Sequence, residues 1–98
     1  MTMANMCTNI LYCSTEHEGD LKRVERFLEE HFEACLQNCG SSLEAEFESF
    51  WDYPEVKMNR LMSTIECVDK LYMRILSYCL ENEYACLRVF KDGAWELK

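Results

Sequence analysis

Two periods of apolar residues alternate along this chain, and they predict helices and strands in turn. Over residues 21–36 the apolar positions recur at steps of three and four, which predicts a helix. Asp20 stands where an N-cap is favoured and Gly40 where a helix ends, so these two residues are its expected limits. A second run at the same spacing, over residues 58–68, predicts another helix with Pro54 in its first turn.

Strand-like segments surround these helices. Residues 43–51 alternate between apolar and polar types, which predicts a strand with one buried face. Residues 71–80 are rich in aromatic and aliphatic side chains and alternate only weakly, so we expect a strand buried on both faces. The other predicted strands are residues 10–14, 84–90 and 95–97, with turns at 16–20, 41–42, 81–83 and 92–93.

The order β-α-β-α-β-β predicts an α+β fold of the ferredoxin-like type. In this split β-α-β arrangement two helices cover one face of a mostly antiparallel sheet, here of four to five strands. A chain of 98 residues is long enough for one compact core and too short for two, so residues 1–98 are expected to form a single domain. The other face of the sheet is left open to water or to a partner.

One long segment of the chain contains acidic residues and no lysine or arginine. Its carboxylates, all within residues 27–56, are Glu29, Glu30, Glu33, Glu44, Glu46, Glu48, Asp52 and Glu55. Glu44, Glu46 and Glu48 alternate with apolar residues, so on a strand they form a row on one face. Such a row repels nucleic acid and attracts basic protein surfaces.

The charge of the whole chain points the same way. It has 18 acidic and 10 basic side chains, for a formal net charge of -8. This balance disfavours sequence-independent binding to phosphate backbones, and we expect no direct contact with DNA or RNA. Strand aromatics could stack RNA bases on an open sheet face, a weaker interpretation here because basic residues are scarce. The aromatics considered are Phe50, Tyr72, Tyr78, Tyr84 and Phe90, with Trp51 and Trp95 expected to bracket the core.

No constellation in the sequence indicates catalysis or metal binding. His31, Cys35 and Cys39 fall at i, i+4 and i+8 of the first predicted helix. Eight residues of helix advance about 12 Å, whereas two thiolates on one zinc ion lie at most roughly 4.6 Å apart. A nucleophilic cysteine needs an electropositive setting, which an acidic chain disfavours. We therefore expect no enzyme, no catalytic residue, no metal site and no cofactor.

The cysteines and the amino-terminal segment bear on localisation. The seven cysteines are odd in number and lie mostly at apolar positions of periodic segments, as buried free thiols do in a reducing compartment. Residues 1–15 are uncharged but have no basic leading segment, and no stretch is long and apolar enough to span a membrane. We expect a protein of the host cytosol with no membrane partner.

Several short motifs resemble those of one protein family. They are Met-Ala-Asn-Met-Cys-Thr-Asn at residues 3–9, Trp-Asp-Tyr-Pro at 51–54, Ser-Tyr at 77–78 and Gly-Ala-Trp at 93–95. Together they resemble the small YubB-like ferredoxin-like proteins carried by phages and plasmids, which often begin Met-Ala-Asn-Trp-Cys-x-Asn. The resemblance implies the ferredoxin-like fold and an origin in a mobile element, and it brings no catalytic residue with it.

Two hypotheses for function follow. The first is a non-enzymatic protein that binds stoichiometrically to a basic surface of a nucleic-acid-handling host protein, as an anti-defence inhibitor of the anti-CRISPR type or a nucleic-acid mimic. The residues expected to contact this partner are Glu44, Glu46, Glu48, Phe50, Asp52 and Glu55. The second is a structural or assembly module that pairs with a copy of itself as a homodimer, in which acidity only maintains solubility.

Overall fold

A computed structural model of the protein describes residues 6–50 and 53–98. In this part of the chain six strands form one sheet, and two helices pack on one of its faces. The elements are β1 (Met6–Ser14), α1 (Glu18–His31), β2 (Cys35–Asn38), β3 (Ser42–Phe50), α2 (Glu55–Met62), β4 (Tyr72–Cys79), β5 (Tyr84–Lys91) and β6 (Ala94–Leu97). The α+β class is confirmed, but the sheet has more strands than the four to five predicted.

All neighbouring strands of the sheet run antiparallel, in the order β2-β3-β1-β4-β5-β6. Consequently β1 and β2 are parallel to each other with β3 between them, and β3 and β4 are parallel with β1 between them. One helix connects the two strands of each parallel pair. β5 and β6 then extend the sheet beyond β4 as two successive hairpins, and the predicted turn at Asp92 and Gly93 is present with a positive φ at both residues.

The additional strand, β2, lies where the sequence predicted the end of the first helix. α1 ends at His31, and Phe32 is already extended with φ -141°. The next residues alternate in burial, and Leu36 packs against the core opposite Ala45 of β3. Gly40 does not end a helix: with φ +87° it forms the turn between β2 and β3. Ladder hydrogen bonds to β3 therefore outweigh the helical periodicity of residues 32–36.

The boundaries of the helices also differ from the prediction. The N-cap of α1 is His17, whose Nδ1 accepts the backbone N–H of Asp20 at 3.0 Å, so Asp20 lies inside the first turn. α2 ends at Met62, and Ile65 belongs to the turn that follows it. Neither helix has the length or apolar content needed to cross a bilayer.

The burial of β4 differs from the prediction. Its residues alternate between buried and more exposed positions, so it is not buried on both faces. In β1, β3 and β4 the odd-numbered residues face the helices, and Leu11, Phe47 and Ile75 are examples of these fully buried positions. The even-numbered residues of the same strands lie on the opposite side of the sheet, which we call the open face.

A buried polar network connects the three central strands beneath the helices. Nδ2 of Asn9 in β1 donates to the hydroxyl of Ser49 in β3 at 2.9 Å, and the hydroxyl of Ser77 in β4 donates to Oδ1 of Asn9 at 2.6 Å. All three side chains are buried. The network fixes the relative register of these strands, because a slip would leave buried polar groups without partners.

Candidate functional site

The predicted carboxylates of β3 lie together on the open face. Glu44, Glu46 and Glu48 are exposed, and the residues between them are buried against the helices. Alternate residues of a strand are about 6.7 Å apart, so the three side chains form an evenly spaced line. We call these three residues the acidic row. Within the described chain, none of them takes part in an ion pair.

The acidic row borders an apolar strip on the same face. Glu46 is paired with Ile10 of β1, which is paired with Leu76 of β4, and Leu76 is paired with Leu87 of β5. Ile10 is 43% exposed and Leu76 39% exposed. Apolar side chains beside a polar margin are the usual composition of a protein interface. This strip was not predicted from the sequence, because the weak alternation of residues 71–80 indicated a strand buried on both faces.

One cation lies near the middle of the open face. The guanidinium of Arg74 in β4 stacks over the ring of Tyr12 in β1, 4.4 Å from its centroid. Tyr12 is also the cross-strand partner of Glu44, so Tyr12 stands between Arg74 and the acidic row. The guanidinium therefore interacts with an aromatic ring and forms no ion pair with the described carboxylates.

Three other predicted contact residues have different positions. Phe50 is 65% exposed on the open face, at the end of β3 beside Met6. Glu55 is exposed in the first turn of α2 and is not part of the sheet. Asp52 lies outside the described residues. The structure thus places Phe50 in line with the acidic row, with Glu55 on a neighbouring element.

Glu55 instead lines a cavity of about 920 Å³ beside the outer edge of β3. We call this cavity the β3 groove. Most of its walls come from the end of α1 and the segment after it, from β3 and from the beginning of α2, and Met6 of β1 and Cys35 of β2 also line it. Its lining includes the charged residues Glu33, Glu46, Glu48, Glu55 and Lys57 and the aromatic residues Phe32, Phe47 and Phe50.

The aromatic residues considered for RNA stacking are divided between the two faces of the sheet. Tyr72 and Tyr78 lie half-buried on the open face. Phe90 is buried in the core, and its ring packs edge-on against Trp95 at 5.2 Å. Tyr84 is the cross-strand partner of the buried Cys79 and points away from the open face. The aromatic residues considered for RNA stacking therefore do not form one continuous platform.

The predicted alignment of His31, Cys35 and Cys39 on one helix face is wrong, because Cys35 is in β2 and Cys39 lies in the hairpin turn. A different trio, His17, Asp20 and Cys67, has ligand atoms within 4.8 Å of one another. The sequence offered no signal for this group, because Cys67 is distant from the others along the chain.

In this second trio, hydrogen bonds within the protein occupy both carboxylate oxygens of Asp20 and Nδ1 of His17. Oδ1 of Asp20 accepts from Nη1 of Arg23 and from the backbone N–H of Glu66, both at 2.9 Å, and Oδ2 accepts the N–H of Cys67 at 2.8 Å. Nδ1 of His17 accepts the helix-capping bond. A metal ion would have to displace these bonds, so the arrangement is that of a structural junction between α1 and the turn after α2.

The thiols differ in environment more than their sequence positions suggested. Cys7, Cys13 and Cys79 are buried, whereas Cys35 and Cys39 are exposed. Burial, with a smaller contribution from the charge of Asp20, raises the pKa of the Cys13 thiol to about 12. Cys13 is therefore protonated and unreactive at neutral pH.

Comparison with protein-family models, with curated proteins and with solved structures found no match for this chain.

Proposed function

We propose that this protein is a non-enzymatic binding protein whose open face captures a basic surface on another protein. The acidic row supplies the charge, and the apolar strip supplies surface that is buried on contact. A groove that normally holds a nucleic acid is the kind of basic surface proposed. Bound in such a groove, the protein acts as a stoichiometric inhibitor of the partner. A nuclease of a host defence system is one example of such a partner.

The observation that supports this proposal most directly is that Glu44, Glu46 and Glu48 share one exposed face and form no ion pair with any cation of the described residues. Carboxylates about 6.7 Å apart approach twice the roughly 3.4 Å rise along the helix axis between phosphates of one DNA strand. A basic groove that follows phosphates can therefore follow these carboxylates. Their attraction for the partner is not reduced by neighbouring ion pairs among the described residues.

We also propose that β1, α1, β2, β3, α2 and β4 form a ferredoxin-like unit, to which β5 and β6 are added. The strand order β2-β3-β1-β4 with two parallel-pair connections supports this assignment. It agrees with the resemblance to YubB-like proteins of phages and plasmids, and an origin in a mobile element is part of the same proposal.

The test uses capture of proteins from lysates of candidate hosts by the immobilised protein at low and high salt. Replacing Glu44, Glu46 and Glu48 together with Gln is expected to abolish capture of any partner held by the open face. The matched control replaces the exposed Glu29, Glu30 and Glu81 with Gln, which changes the net charge equally on other surfaces. Equal capture by both variants would contradict the proposal, and so would capture that does not weaken with salt.

Self-association remains a second candidate because Ile10 and Leu76 are exposed on the same face. Two copies packed through their open faces would bury these apolar side chains. Light scattering at micromolar concentration distinguishes the candidates: a dimer that Ile10→Ser converts to monomer favours self-association, whereas a monomeric mass removes it.

A further inference from the structure

β2 covers only part of the outer edge of β3. It pairs with residues 43–46 of β3, whereas β1 pairs with the whole length of β3 on the other side. From Phe47 to Phe50, therefore, no described strand covers the outer edge. This part is about 13 Å long at ~3.3 Å per residue, and it opens into the β3 groove.

The backbone of Glu48 points into this groove. The carbonyl of Ser42 accepts the N–H of Cys39 at the β2 side, whereas the carbonyl of Ser41 accepts the N–H of Thr15 at the β1 side. Backbone groups of successive residues in a strand point to opposite edges. The N–H and C=O of even-numbered residues consequently point away from β1, and those of Glu48 lie beyond the end of β2.

The side chains around this edge differ between the two faces of the sheet. On the open face, Glu46 and Glu48 stand beside it. On the helix side, Phe32 packs against Phe47 with ring centroids 4.4 Å apart, and Nζ of Lys57 lies 5.1 Å from the centroid of the Phe32 ring. A strand added here would thus have carboxylates on one face and aromatic rings on the other.

We propose that the uncovered edge of β3 binds an extended segment of a partner protein in which basic and apolar residues alternate. The segment adds to the sheet as a further strand, and its backbone forms hydrogen bonds with the N–H and C=O of Glu48. Its basic side chains lie beside Glu46 and Glu48, and its apolar side chains contact Phe32. This mode of binding goes beyond the proposed function, because it uses a sheet edge rather than the open face.

A second copy of this chain is a poor occupant of the same edge. Two β3 edges paired antiparallel would place Glu46 and Glu48 opposite the same residues of the other copy. Like charges directly opposite on paired strands are destabilising. The further carboxylates of Glu33 and Glu55 in the groove walls outnumber the cation of Lys57 and also favour a basic occupant.

The test uses a short fluorescent peptide in which lysine and valine alternate, with binding followed by fluorescence anisotropy. A peptide of the same composition with its lysines in one block is the control and is expected to bind at least tenfold more weakly. N-methylation of alternate residues of the lysine–valine peptide then tests for hydrogen bonds between the peptide backbone and β3. Methylating one alternate set is expected to abolish binding, and methylating the other set to leave it nearly unchanged.

Amide hydrogen exchange gives an independent reading of the same contact. The N–H of Glu48 is expected to become protected when the alternating peptide binds, whereas the N–H groups of Phe47 and Ser49 face β1 and are protected already. Equal binding of both peptides, equal effects of the two methylation patterns, or an unprotected Glu48 amide would each overturn the proposal.

Two glutamine variants separate this inference from the proposed function. Glu33→Gln with Glu55→Gln changes only the groove and is expected to weaken peptide binding about two- to fivefold. Glu44→Gln changes only the acidic row, because Glu44 does not line the groove, and it is expected to change peptide affinity less than twofold. One pair of results would support the proposed function and reject this inference. The variant with Gln at Glu44, Glu46 and Glu48 would lose lysate capture, and the wild-type protein would not bind the alternating peptide.

Discussion

The buried carboxylate of Asp20 accepts the backbone N–H of Cys67 at 2.8 Å, and this bond connects the beginning of α1 with the turn that follows α2. Oδ1 of the same carboxylate accepts the N–H of Glu66 and the guanidinium of Arg23. Irregular backbone that is partly buried needs partners for its N–H groups. Asp20 supplies them here, so it stabilises the packing of the two helices against each other.

Replacing Asp20 with Asn is expected to lower the free energy of unfolding by about 2–4 kcal/mol. The amide is uncharged, and it has one acceptor oxygen where the carboxylate has two, so the donors that bond to Asp20 lose part of their partner. Urea unfolding followed by circular dichroism measures the change. The control is Asp69→Asn at an exposed position, with an expected effect below about 0.5 kcal/mol. Equal effects of the two substitutions would contradict the structural role of Asp20.

The same residue predicts a pH dependence. Burial by itself raises the pKa of Asp20, but hydrogen bonds from the backbone of Glu66 and Cys67 and the nearby His17 and Arg23 outweigh burial, and the net pKa is lowered. Near pH 4 the folded state therefore binds fewer protons at this site than the unfolded chain. The stabilisation is fully present above the unfolded pKa and is lost as the pH falls through the folded pKa.

The measurement is the difference in unfolding free energy between the wild type and Asp20→Asn at several pH values from 7 to 3. The difference is expected to be largest near neutrality and to decrease below about pH 4. A difference that stays constant into acid would show that Asp20 contributes packing rather than charge.

The buried network of the central strands predicts a second loss of stability. Ser77→Ala removes the hydroxyl that donates to Oδ1 of Asn9 at 2.6 Å and leaves a buried acceptor without that donor. The free energy of unfolding is therefore expected to fall by about 1–3 kcal/mol. Thermal unfolding gives the change. Ser14→Ala, on the open face of β1, is the control and is expected to shift the midpoint little.

The sequence predicted those elements best whose periodicity and environment agree. Strict alternation over residues 43–51 reflects a strand with one helix-covered face, and Ser42–Phe50 forms β3 accordingly. In β4 the open-face positions include Leu76, which belongs to the apolar strip, and this obscured the alternation. A strand that presents apolar residues to solvent resembles, in sequence, one buried on both sides.

The additional strand β2 could not be predicted by the same reasoning. Phe32, Cys35 and Leu36 continue the helical spacing. Only pairing with β3 favours an extended chain, and the periodicity of these residues does not report that pairing. The acidic row was found from sequence because it depends on one strand alone. The β3 groove was not, because it requires the end of α1, β3 and α2 together.

Exposure of the thiols predicts their order of modification. Cys35 and Cys39 are exposed and are expected to react with iodoacetamide within minutes in the native protein, whereas Cys7, Cys13 and Cys79 are buried and react only on unfolding. Mass spectrometry of peptides from protein alkylated before and after addition of urea identifies the modified residues. Rapid labelling of Cys13 without urea would contradict its burial and its raised pKa.

If the open face binds its partner by charge, removing the charge of Arg74 is expected to strengthen that binding. Arg74 lies two strands from Glu44, about 9.6 Å at a spacing of ~4.8 Å between strands, and its charge opposes the approach of a basic partner. Arg74→Gln is expected to tighten binding of a basic partner about two- to threefold at low salt and to have no effect at high salt. Lys22→Gln on the exposed side of α1 changes the net charge equally and is the control. Weaker binding by Arg74→Gln would mean that the guanidinium and the Tyr12 ring contact the partner directly, and charge on this face would not be the basis of recognition.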